Sequence, residues 1–194
     1  IIKILKNIFI VFIAFLFATI LRTYIFQIYY IPSLSMFPNI NINDRVLVLK
    51  DKLFDIEYSV GDVIVFYSPE SSSPNNSELL IENLKLWELI NNEGNKNQTV
   101  YIKRIVGTPG DEISINKNGE VFNNNIQVIT ENVASTVILD DISIKLSDDE
   151  YFVLGDNRDN SFDSRSFGPI TSSRIIGKAF FKIYPLDQIQ NLND

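Results

Sequence analysis

From Ile8 to Leu21 the chain reads IFIVFIAFLFATIL, and Thr19 alone interrupts the apolar run. Extended back through Lys6 to Ile4, the segment predicts a helix of 18 residues, near the lower limit for crossing a bilayer. Lys3 and Lys6 on one side and Arg22 on the other can reach the headgroup layers. Two lysines before the run against one arginine after it favour a cytoplasmic N-terminus. Tyr24, Phe26, Tyr29 and Tyr30 follow as an interfacial aromatic belt would. No small-x-small cleavage site follows, as it would after a signal peptide, and the run is apolar all round, unlike a surface helix. Residues 1–22 are therefore expected to form a retained transmembrane anchor.

Past Pro32 the period shortens. Branched and aromatic runs at 45–50, 63–67, 100–106, 112–115, 126–130, 136–139, 151–154 and 175–183 predict strands. Turn signals separate them, among them Pro109-Gly110-Asp111, Asn118-Gly119 and Gly155-Asp156-Asn157. Residues 68–98 read as an insertion, with helical spacing over 79–91 and Ser77 as its N-cap. The expected fold is mainly β: a complex, barrel-like antiparallel domain over 23–194, one N-terminal membrane helix, and a short helical insertion.

Two absences narrow the chemistry. The chain has no cysteine, so thiol nucleophiles, disulfides and thiolate metal sites are excluded. It has no histidine, so neither a Ser-His-Asp triad nor an imidazole zinc site can form. A nucleophilic enzyme here must take its base from lysine, a carboxylate or a terminal amine. The net charge of −7 speaks against a nucleic-acid partner. No cofactor or metal is expected.

Four segments invite closer reading. Ile31-Pro32-Ser33-Leu34-Ser35-Met36-Phe37-Pro38 sets two serines in a Pro-bounded turn directly after the anchor. By itself it is an ordinary Ser/Pro turn. In the second, Tyr101, Lys103 and Ile105 share one face of a strand. If that face is buried, desolvation lowers the lysine pKa; otherwise Lys103 is a lysine reaching out from a sheet edge. Arg104 points the other way, toward solvent. The third, residues 155–168, is a polar loop after an apolar strand, without the spacing of an EF-hand, and its Asp163 and Arg165 can pair. The fourth, Gly61-Asp62 before Val63, is a turn into a core strand.

Together these segments resemble the sequence boxes of type I signal peptidases, the bacterial leader peptidase family. The pattern P-S-x-S-M-x-P is matched at 32–38, K-R-x-x-G-x-P-G-D at 103–111, and G-D-N-R-x-x-S-x-D-S-R at 155–165. Order, spacing and the upstream anchor agree, and the resemblance covers the chain apart from roughly 68–98. It implies that Ser35 is the nucleophile and Lys103 the general base. Ser33 and the Ser35 N–H would form the oxyanion hole, Ser161 would orient the lysine amine, and Asp163 with Arg165 would support the site. Ile31, Met36, Tyr101 and Ile102 would lie along the substrate cleft. Two neighbours of the nucleophile depart from the family's common residues: Leu34 stands where Gly is frequent, and Asn39 where Thr is frequent.

The resemblance implies a membrane-bound endopeptidase of the plasma membrane, single-pass, with its catalytic domain on the extracytoplasmic side. Its partners would be signal peptides of exported preproteins and the lipid bilayer. The thirteen-residue step from Arg22 to Ser35 spans at most roughly 43–47 Å, which keeps the site near the membrane surface. Three other readings fit parts of the sequence. Ser114-Ile115-Asn116-Lys117 fits the S-x-x-K of penicillin-recognising enzymes, but lies in a hairpin-like stretch with no K-T-G after it. A non-catalytic, membrane-tethered β module would need neither Ser35 nor Lys103. A Ser-Lys protease that cuts itself or one client would need both.

Overall fold

A computed structural model describes residues 2–51, 56–71, 99–133, 136–138 and 140–193. Helix α1 (Ile2–Tyr24) carries the apolar run. Residues 3–18 are exposed on every side, so no protein surface packs on them. Among the described residues, Lys3–Tyr24 is the helix long and apolar enough to cross a membrane. Its 22 residues rise ~33 Å, close to the thickness of a hydrocarbon core. Its two threonines bond inside the helix: Thr19 Oγ1 donates to Phe15 O and Thr23 Oγ1 to Thr19 O. Both hydroxyls are thus paired within the helix, as a membrane-spanning helix requires.

One residue, Ile25, separates the helix from β1 (Phe26–Tyr30). The expected aromatic belt is thus a strand, with Phe26, Ile28 and Tyr30 exposed on one face. β2 (Arg45–Lys50), β3 (Val63–Tyr67), β4 (Val100–Gly107), β9 (Glu150–Leu154), β10 (Ile170–Thr171), β11 (Ile175–Tyr184) and β12 (Gln190–Asn191) complete the large sheet. Its order is β1-β2-β11-β3-β4-β9-β10, with β12 on β11, and every pair is antiparallel. β5 (Glu112–Ile115), β6 (Val121–Asn123), β7 (Ile126–Gln127) and β8 (Ile142–Lys145) form a second sheet in the order β7-β6-β5-β8. The mainly β, curled antiparallel architecture with one N-terminal apolar helix is the one the patterns predict. The edges β1 and β10 do not pair with each other, so the large sheet stays open.

Three apolar clusters fill the domain. Val46, Val48, Val63 and Val65 meet Ile31, Met36 and Ile40 of the serine turn in the first. Val106, Ile113, Ile115 and Phe152 close the second sheet onto the first. Ile64, Phe66, Ile105 and Val153 form the third, with Tyr101 and Phe167 against them. Consecutive residues of β4 point to opposite faces, so Ile105 joins the third cluster and Val106 the second.

Two expected strands differ. Of 126–130 only Ile126–Gln127 pairs. Residues 136–138 are not a strand; they cross the β5–β6 turn, where Ile138 N–H donates to Lys117 O and a side chain at Gly119 would strike the Thr136 backbone. Leu139 and the expected insertion helix over 79–91 lie outside the described residues.

Candidate active site

The serine turn is held from below by its apolar residues. Ile31 and Met36 are buried in the first cluster, and Phe37 N–H donates to Leu34 O while Ile40 N–H donates to Met36 O. Ser35 is thereby presented at the surface of the core, only 9% exposed. Among the described residues its N–H makes no hydrogen bond.

β4 brings Lys103 to the same place. Lys103 pairs with Ile64 in the middle of the large sheet and is 3% exposed. Its Nζ lies 2.8 Å from Ser35 Oγ and 3.0 Å from Ile102 O. The Tyr101 ring lies beside it, centroid 5.6 Å from Nζ. Burial pushes the Lys103 amine down from its ordinary 10.5 to about 8, although the Asp163 and Asp156 carboxylates pull it back up. The shared face of Tyr101, Lys103 and Ile105 is a buried one, as the functional reading of that segment requires.

Ser33 Oγ lies 3.5 Å from Ser35 Oγ, at the outer limit of a hydrogen bond. An apolar-lined cavity of about 320 Å³ opens beside the dyad and includes Ile31, Ser33, Val65, Tyr101 and Ile102 in its wall. Met36 is not on that wall. It is 0% exposed, because its side chain fills the first cluster beneath the turn, and the expected cleft role is corrected to that of a core anchor.

The polar loop 155–163 closes the site from the other side. Asn157 N–H donates to Ser35 O at 3.0 Å and its Nδ2 to Leu34 O at 3.1 Å. Asp163 caps α2 (Ser164–Phe167), accepts from the Gly155 N–H, and takes both Nε and Nη2 of Arg165 at 2.9 Å. The Asp163–Arg165 pair forms. The expected bond from Ser161 to the lysine does not: Ser161 Oγ is buried and has no partner among the described residues. The lysine's contacts run to Ser35 Oγ and Ile102 O instead. Ser161 nonetheless sits against the serine turn, since a Cβ on Gly155 would fall 2.1 Å from Ser161 Oγ and 2.5 Å from Ser35 O.

Arg104 does not reach solvent. It is 8% exposed, and Nε and Nη2 meet Asp156 Oδ1 and Oδ2 at 2.9 and 2.8 Å while Nη1 donates to Gly61 O. Its neighbours Ile102 and Val106 are apolar, the sign in the sequence that both faces of β4 are covered. Asn39 Nδ2 donates to the same Asp156 at 2.8 Å. The departure at Asn39 thus ties the serine turn to a buried ion pair. Asn39, Arg104, Asp156 and Asn157 brace the serine turn, a role that no local pattern in the sequence marks.

A serine hydroxyl at hydrogen-bond distance from a buried, partly neutralised lysine, on a chain without histidine, defines the class of Ser-Lys hydrolases. The family model "Signal peptidase, peptidase S26" matches residues 4–184. The chain belongs to that family and is a peptidase. It is 30% identical to a probable signal peptidase I-2 of Synechocystis sp. over 90% of this chain and 70% of that protein. It is 32% identical to a signal peptidase I of Leptolyngbya laminosa over 89% and 75%. It is 28% identical to signal peptidase I S of Bacillus subtilis over 93% and 89%.

Proposed function

We propose that this peptidase removes N-terminal signal peptides from exported preproteins, with Ser35 as nucleophile and Lys103 as general base. The observation that carries the reading is the 2.8 Å approach of Nζ to Oγ, by an amine whose pKa burial brings to about 8. At pH 7 roughly one amine in ten is neutral, a usable fraction for a base.

The neutral amine takes the Ser35 hydroxyl proton as Oγ attacks the scissile carbonyl. Charge develops on the carbonyl oxygen, where the unbonded Ser35 N–H and the Ser33 hydroxyl are available to donate. The C–N bond breaks as the Lys103 ammonium returns its proton to the leaving amine. A water activated by the same amine then releases the acyl group from Ser35. The unpartnered Ser161 hydroxyl is available to hold the amine while Ser35 is acylated. Leaving a buried hydroxyl unsatisfied costs about 1–3 kcal/mol, and that step would relieve it.

The 320 Å³ cleft beside Ser35 suits the small side chains of a signal-peptide cleavage site, with Ile31, Tyr101 and Ile102 as its apolar walls. The short step from the apolar helix to Ser35 supports a site near the bilayer, where such a cleavage site emerges. The Lys3 and Lys6 bias supports a single-pass orientation in the plasma membrane with the catalytic domain, 23–194, outside the cytoplasm.

The test incubates detergent-solubilised protein with a preprotein and maps the cut by mass spectrometry. Cleavage after a small-x-small sequence is expected. Ser35→Ala and Lys103→Ala should each lose at least about 10³-fold in kcat/KM with circular dichroism unchanged. Processing by either variant at the unsubstituted rate would refute the assigned roles.

A further inference from the structure

The catalytic mechanism makes no use of one buried cation. Lys50, the last residue of β2, is 2% exposed. Its Nζ donates to Thr23 O at 3.0 Å, and its own N–H donates to Ile25 O at 2.8 Å. Thr23 belongs to the last turn of α1 and is 0% exposed, on a helix whose residues 3–18 are exposed all round. The carbonyls of a helix's last turn lack partners within the helix, and a cation is favoured against them by the helix dipole. The ammonium makes this contact from a buried position, so it joins the end of the helix directly to β2.

The chain that follows is tied down almost without a break. Ile25 is the single residue between helix and strand. β1 then pairs with β2 along its whole length, from Phe26↔Leu49 to Tyr30↔Arg45. Ile31 N–H donates to Asp44 O and Ile31 O accepts from Asn43 N–H, four residues before Ser35. A backbone ladder thus runs from the membrane helix to the nucleophile turn, and Lys50 sits where the ladder meets the helix.

We propose that Lys50 is a positioning residue that locks the end of the anchor onto the catalytic sheet. The height and tilt of Ser35 over the bilayer are then set by the helix rather than by a flexible tether. This rests on the proposed cleavage of membrane-inserted preproteins. It predicts that Lys50 matters for a substrate that is itself fixed in the membrane and not for a free peptide. Misplacing reacting groups by about 1 Å can cost ~10²-fold, so loosening this joint should be visible in turnover.

Two measurements on the full chain in lipid vesicles test it. In the first, a preprotein inserted in the same vesicles and a soluble peptide with the same cleavage sequence are compared. Lys50→Met should lose about 10- to 100-fold in kcat/KM on the inserted preprotein while peptide cleavage is unchanged. Lys50→Arg, which keeps a cationic donor, should recover most of the loss. Equal loss on both substrates, or no loss on the inserted one, overturns the proposal.

The second measurement does not depend on activity. The chain has no cysteine, so spin labels can be placed at Ile10→Cys on α1 and Ser173→Cys on the domain, both at exposed positions. One narrow distance distribution is expected with Lys50 present and a broad one with Lys50→Met. A broad distribution with Lys50 present, or no change on substitution, overturns the proposal. If the unsubstituted chain cuts no preprotein at all, the cleavage reading fails while the spin-label distances still decide on the lock.

Discussion

At Lys103, burial and charge act in opposite directions, and burial prevails. The amine falls from 10.5 to about 8 despite the attraction of Asp163 and Asp156. In the proposed mechanism the neutral form is the active one, so kcat/KM should rise about tenfold per pH unit below pH ~8 and level off above it. A profile flat from pH 6 to 9 would contradict the role. Stability follows the same shift. Between about 8 and 10.5 the unfolded chain holds the proton and the folded one does not, so stability rises with pH across that window. Below it, burial of the ammonium costs on the order of 3 kcal/mol. Lys103→Met should therefore raise the Tm at pH 7, by the equivalent of about 1–2 kcal/mol after loss of the amine's hydrogen bonds. It should also remove the slope in that window; an unchanged slope by thermal unfolding at pH 8, 9 and 10 would be the contrary result. The alternation of Tyr101, Lys103 and Ile105 was legible as one face. That this face is buried depends on β3 and β9 lying on either side of β4, which is tertiary information.

Between elements, the decisive contact is loop 155–163 against turn 33–39. The motifs in both segments are legible in the sequence; the bonds that join them are not. Asn157 reaches Ser35 O and Leu34 O, and Asn39 reaches the Asp156 that holds Arg104. The bonds between turn and loop link residues more than a hundred positions apart, and no local pattern encodes them. Strand alternation puts Arg104 on the face opposite Lys103, but does not report whether that face is covered. Gly155 sits at the tightest point. Gly155→Ala puts a methyl within 2.1 Å of Ser161 Oγ and 2.5 Å of Ser35 O, and the latter is backbone that cannot rotate aside. Activity should fall by ~10²-fold or more, with about 1–3 kcal/mol of stability lost. Asp156→Ala leaves the Arg104 charge buried and unpaired, and should cost about 3–5 kcal/mol in denaturant unfolding. Loss below 1 kcal/mol would mean that Arg104 finds water on opening.

At the scale of the whole molecule, the two parts of the chain treat their apolar residues in opposite ways. The β domain buries its apolar residues in three clusters, whereas α1 presents its own to the outside. This contrast was the most legible feature of the chain, because a helix in lipid needs only length and apolarity, both local properties. Between Ile4 and Leu21 lie thirteen Leu, Ile, Val and Phe residues. At about −0.3 to −0.6 kcal/mol each they favour insertion by roughly 4–8 kcal/mol, and one central Asp returns only ~2.5–3.5. A single charge should therefore leave the anchor in place, and two should release it. Ile13→Asp with Phe17→Asp is expected to move the protein from the membrane to the soluble fraction on carbonate extraction, while Ile13→Asp alone and the double Leu variant stay bound. Peptide cleavage in detergent should survive in all of them, since neither residue touches the domain. Retention of the double-Asp chain in the membrane would show that a second surface holds it. The exposed Phe26, Ile28 and Tyr30 face of β1 would be the first place to look.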